Sequence, residues 1–87
     1  MPRLYTIRLA MSAARALQKL SPAVRVRLGR AIDGLAENPF PPGVRKLKGE
    51  GHTHRICVGD YRVIYDVLQE AVVVLVLRVG HRKDIYR

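Results

Sequence analysis

The chain has no tryptophan, one phenylalanine and a single cysteine. One thiol, Cys57, excludes an internal disulfide framework and suits a reducing compartment. The longest apolar run, Ala71 to Leu77, is too short to span a bilayer. The start, Met1-Pro2-Arg3-Leu4-Tyr5, lacks the apolar region of a secretory leader, so a cytoplasmic protein is expected. Internal repeats and low-complexity stretches are absent, and 87 residues predict one domain over 1–87. A chain this small buries only about 60% of its unfolded surface. Its hydrophobic fraction of 48% and mean hydropathy of −0.03 fit a thin but sufficient core.

Acidic residues are also scarce. Seven Asp and Glu stand against sixteen Lys and Arg, a formal net charge of +9 with a pI near 10.6. Such a field speeds encounter with polyanions and favours phosphate contacts. An acidic protein partner, or a merely solubilising basic surface, is compatible with the same balance.

Along the chain, residues 3 to 9 alternate as a first strand. Ser12 is placed to cap a helix carrying Ala13, Ala14, Leu17 and Leu20. Ser21-Pro22 restarts a helix, with serine as N-cap and proline at the first helical position. Val24, Leu28, Ile32 and Leu35 then recur at spacings that form one apolar stripe, with Arg25, Arg27, Arg30 and Asp33 mostly away from it. Asn38-Pro39-Phe40-Pro41-Pro42-Gly43 ends the helical part in a loop. Four strands follow: Val44 to Gly49, Thr53 to Val58, Tyr61 to Leu68 and Ala71 to Val79.

Gly59-Asp60 reads as a two-residue hairpin turn with glycine first, as in type II′. That turn sets Val58 opposite Tyr61, Cys57 opposite Arg62, Ile56 opposite Val63 and Arg55 opposite Ile64. Opposed residues share a face. One face then carries Ile56, Val58, Tyr61, Val63, Tyr65 and Val67, the core beneath the helices. The other carries Arg55, Cys57, Arg62 and Asp66 around Ile64.

Two guanidinium forks on one face suit a phosphate or a pentavalent phosphorane. They equally suit surface salt bridges with Asp60 or Asp66. Lys46 and Lys48 flank Leu47 and share a face if extended, either as phosphate contacts or as guards of an edge strand. His52, His54, Cys57 and His81 lack the spacing of a zinc site, and neither metal nor cofactor is expected. Cys57 has no evident base beside it, so a small filler is the simpler reading. Gly80 permits a bend that brings His81, Arg82, Lys83 and Tyr86 over the basic face. Alternatively Ile85 and Tyr86 pack back on the helices.

The segments Lys46-Leu47-Lys48-Gly49, Arg55 through Tyr65 and Val79 through Tyr86, in this order over almost the whole chain, resemble the RelE/ParE superfamily of type II toxin–antitoxin toxins. The resemblance implies an α+β fold: an N-terminal strand, a two-helix antiparallel hairpin, then antiparallel strands in one sheet with helices on one face. For the RelE branch it implies a ribosome-dependent endoribonuclease that cuts mRNA in the A site. Attack by the 2′-oxygen gives a 2′,3′-cyclic phosphate without metal. By position, Arg55 and Arg62 resemble phosphate-stabilising cations and Arg82 the group serving the 5′ leaving oxygen. Tyr86 resembles the stacking tyrosine that takes the 2′-hydroxyl proton, with His81 as a second candidate for proton transfer. Tyrosine ordinarily titrates near pH 10, so this role needs surrounding cations. Lys46, Lys48, Arg78 and Lys83 are the expected RNA contacts. The implied partners are an acidic or mixed-charge antitoxin, in a hetero-oligomer, and mRNA on the ribosome, with no membrane. Cys57 departs from the branch, which often has a second cation there. That departure leaves open a weakened homologue acting mainly through its antitoxin; a ParE-like inhibitor of DNA gyrase, which shares the scaffold and basic charge, is the other alternative.

Overall fold

The β-branched stretches of the C-terminal half pair into one sheet whose two faces have opposite character. A computed structural model describes residues 4–47 and 51–85. Its elements are β1 (Thr6–Leu9), α1 (Met11–Gln18), α2 (Pro22–Glu37), β2 (Arg45–Lys46), β3 (Thr53–Val58), β4 (Tyr61–Leu68) and β5 (Val73–His81). The strand order is β1-β5-β4-β3-β2. β2 to β5 pair antiparallel, as the sequence indicates, while β1 adds to β5 in parallel and makes the sheet mixed.

The β3–β4 register is the expected one, with Val58 opposite Tyr61 and Cys57 opposite Arg62. Gly59 has φ of 60°, which glycine adopts without steric cost. A side chain there would also meet Arg27 Nη2 at 2.9 Å, but that flexible tip can move aside, so conformation rather than space calls for glycine.

Both helices cover one face. Leu28, Ile32 and Leu35 of α2 and Ala13 of α1 are buried against Ile56, Val63, Tyr65, Val67, Val74, Val76 and Val79. Each large side chain buried this way contributes roughly 1.5–3 kcal/mol. Val24, the first member of the predicted stripe, packs at the margin of the core. Ser21 is the N-cap of α2 with Pro22 behind it, although its hydroxyl makes no capping bond. Ser12 does not cap α1: the helix begins at Met11 with Ala10 as N-cap. The Ser12 hydroxyl instead donates to the Leu77 carbonyl at 3.1 Å.

Leu77 marks an irregularity that the apolar run of β5 conceals. The register shifts between Ile64 and Tyr65, which face Arg78 and Val76 respectively. This bulge lets Val74, Val76 and Val79 all point to the core while Arg78 points away. β5 also runs later than expected, Val73 to His81 rather than Ala71 to Val79. Residues before it form the β4–β5 turn, where Val72 has φ of 56° and its carbonyl accepts the Thr6 N–H at 2.9 Å. No helix among the described residues is long and apolar enough to cross a membrane.

Candidate functional site

The helix-free face carries its charge in transverse rows. Register places Arg45, Arg55, Ile64 and Arg78 in one row across β2, β3, β4 and β5. The neighbouring row toward the Gly59-Asp60 turn is Cys57, Arg62 and Gly80. The row on the other side is Thr53, Asp66, Leu75 and Arg8. Strands lie about 4.8 Å apart and rows about 6.7 Å. These guanidinium groups therefore come within reach of consecutive phosphates on one strand.

Among the described strand residues of this face Asp66 is the one carboxylate, and it accepts the Thr53 hydroxyl at 2.5 Å. The Arg62 Nη1 donates to the carbonyls of Gly59 (3.4 Å) and Tyr61 (3.2 Å). Its Nε is buried and finds no hydrogen-bond partner among the described residues. Backbone carbonyls hold that fork in place without neutralising it. Arg55 is half-buried beside Cys57, whose thiol is exposed.

The end of the chain turns onto this same face. Arg82 N–H donates to the Asp60 carbonyl at 2.8 Å, and the His81 carbonyl accepts the N–H groups of Asp84 and Ile85. The Ile85 side chain is 3% exposed and lies 3.9 Å from where a Gly80 Cβ would stand. Gly80 is opposite Arg62, so Ile85 covers the basic face and does not return to the helices. Ile64, 8% exposed, gives the same face a buried apolar centre. Arg82 stays at the rim with Nε 3.9 Å from an Asp60 carboxylate oxygen, and both side chains are largely exposed. At that exposure the pair contributes little to stability, which leaves the cation available.

Other predicted residues separate from this group. His81 pairs with Tyr61 on the helix-bearing side, ring centroids 5.4 Å apart. Its Nδ1 accepts the Lys83 N–H at 3.1 Å, so the neutral ring carries its proton on Nε2. Lys46 faces His54, also on the helix-bearing side. Arg45 takes the position beside Arg55 that the sequence reading left unassigned. The alternation of Arg45 and Lys46 was visible, but the loop after β2 hid which of them joins Arg55. Arg8 was missed because the parallel pairing of β1 has no local signal. Lys48 and Tyr86 lie outside the described residues. Among the described residues, no three His, Cys, Asp or Glu side chains gather as a metal site.

The comparisons with known proteins agree with this construction. Residues 7–86 match the family model for the ParE toxin of the type II toxin–antitoxin system parDE. The chain is 37% identical over 87 residues to toxin RelG of Mycobacterium tuberculosis, covering 95% of this chain and 97% of that one. It is similar in structure to the RelE–RelB complex of the archaeon Pyrococcus horikoshii, with a TM-score of 0.82 and 32% identity over 93% of this chain and 98% of that one. The intact RelBE toxin–antitoxin complex of Escherichia coli gives a TM-score of 0.78 and 30% identity over 88% and 95%. Built on this scaffold and matched along nearly its whole length, the chain belongs to the RelE/ParE superfamily of type II toxin–antitoxin toxins.

Proposed function

We propose that this toxin is a ribosome-dependent endoribonuclease, a single-domain mRNA interferase whose working surface is the helix-free face of the sheet. One observation carries the reading: Arg45, Arg55 and Arg78 share a row, and Arg62 stands in the next with its fork held by carbonyls alone. RNA phosphates crossing those rows meet donors in two directions. In the transition state the phosphorane gains negative charge, so cations fixed beforehand stabilise it more than the ground state.

The 2′-oxygen attacks the adjacent phosphorus, the bond to the 5′-oxygen breaks, and a 2′,3′-cyclic phosphate and a 5′-hydroxyl result. Arg55 and Arg62 hold the non-bridging oxygens. Arg82, at the rim beside Asp60, protonates the leaving 5′-oxygen or stabilises its charge while water supplies the proton. Tyr86 follows Ile85, which is seated over this face, and is assigned to stacking and to accepting the 2′-hydroxyl proton. His81, on the other side of the sheet, is left out of the proton path.

The partner is an acidic or mixed-charge antitoxin, as the RelB-bound relatives suggest. The toxin is expected to act in the cytoplasm, where ribosomes are.

A second reading, inhibition of DNA gyrase, is favoured by the family model being that of ParE. Induced expression separates the two. New mRNA 5′ ends with normal supercoiling support the nuclease; blocked supercoiling without new ends supports the gyrase reading.

A further inference from the structure

On the helix-bearing side, beyond the end of α2, the structure leaves an aromatic cleft that the proposed chemistry does not use. Phe40, Lys46, His52 and His54 line it, with a volume of about 210 Å³. Lys46 is opposite His54 across β2 and β3, and its side chain is exposed. The Phe40 ring is 40% exposed and meets the His54 ring edge-on at 5.1 Å. His54 stacks in turn on Tyr65, centroids 6.0 Å apart at 28°.

Hydrogen bonds hold the Tyr65 and His54 rings and the backbone at Phe40. The Tyr65 hydroxyl donates to the Pro39 carbonyl at 2.7 Å, and the Phe40 N–H donates to Asn38 Oδ1 at 3.0 Å. His54 Nδ1–H donates to the His52 carbonyl at 2.8 Å, which leaves Nε2 as the ring's other polar atom. A half-exposed ring beside an exposed ammonium is what an unstacked nucleobase and its phosphate require. The volume suits one base, being below the usual range for a larger small-molecule ligand.

β2 connects this cleft to the basic face. Its two residues point to opposite sides, Arg45 beside Arg55 and Lys46 beside His54. A single strand bent around this outer edge of the sheet keeps a cation under its backbone on both sides.

We propose that the Phe40–His54–Lys46 cleft is a subsite that stacks one unpaired RNA base, with Lys46 on its phosphate, separate from the Arg55–Arg62 face. It rests on the RNA-binding reading above, and it adds a base-dependent contact that the arginine rows do not supply.

The test uses the purified toxin with a short oligouridylate and an abasic strand of equal length and charge. The chain has no tryptophan, so Phe40→Trp places a single, selectively excitable indole in the cleft. The expected result is quenching by oligouridylate and not by the abasic strand. Phe40→Ala should weaken oligouridylate binding on the order of ten-fold and leave abasic binding unchanged. Lys46→Ala should weaken both. Phe40 is part-exposed, so these variants should keep the wild-type circular dichroism spectrum. Phe40→Ala binding both strands like wild type would overturn the subsite; if Arg62→Ala still weakened both, the RNA reading would stand. Weakened capture of an acidic antitoxin peptide with RNA binding intact would make the cleft a protein contact and overturn the subsite too. No binding of either strand by wild type would also overturn it, and cleavage on ribosomes would then judge the nuclease reading separately.

Discussion

Ile85 sits in the space that Gly80 leaves open, with its Cβ 3.9 Å and its Cδ1 4.0 Å from where a glycine side chain would begin. This contact closes the C-terminal turn over the arginine rows instead of over the helices. It makes the placement of Arg82 depend on a position with no charge of its own. Gly80→Ala should be tolerated, since the added methyl meets Ile85 at ordinary van der Waals distance. Gly80→Leu should displace Ile85 and abolish toxicity while the sheet stays folded, checked by growth arrest beside circular dichroism.

Truncating Ile85 tests the same seat from the other side. Ile85→Ala removes a side chain that is 3% exposed and should cost about 2 kcal/mol in urea unfolding. A loss of mRNA cutting larger than that of Gly80→Ala is expected, because the tail loses its anchor.

Tyr65 gives the fold a signature at high pH. Its burial pushes the phenol up to about 12 from 10. The unfolded chain therefore releases this proton before the folded one does. The resulting stability is complete below pH 10 and is lost as pH rises from 10 to about 12. Tyr65→Phe should remove this part of the pH dependence and the 2.7 Å bond to Pro39, lowering stability at neutral pH by about 1 kcal/mol. Denaturant midpoints measured from pH 8 to 12 check both.

Cys57 faces Arg62 on the basic face with an exposed thiol. Cys57→Arg should add a cation to the Arg62 row without disturbing the core. RNA affinity should rise, and its log–log salt dependence should steepen by about 0.7, the amount for one further phosphate on a single strand. A filter-binding series over salt concentration measures the slope.

Where the sequence carries a period and a turn, it was readable. The alternation on either side of Gly59-Asp60 placed Arg55, Cys57 and Arg62 on one face, and the stripe Leu28, Ile32 and Leu35 placed α2 on the other. The parallel docking of β1 was not legible, because pairing between residues some seventy positions apart leaves no local trace. Nor was the bulge at Leu77, since an unbroken apolar run shows no change of phase. Those two features supply Arg8 and orient Arg78. The side of β2 that joins Arg55 was hidden for a related reason: alternation gives two faces but does not name them.

The most direct measurement adds purified toxin to ribosomes translating a defined mRNA and determines the chemistry of the new ends. Wild type should cut within the A-site codon, leaving a 2′,3′-cyclic phosphate and a 5′-hydroxyl. Arg62→Ala and Arg82→Ala should each slow the cut by roughly 10²–10³-fold while binding antitoxin normally. Uncut mRNA with wild-type toxin, or unchanged cutting by folded Arg62→Ala, would contradict the assignment of this arginine face as the catalytic surface.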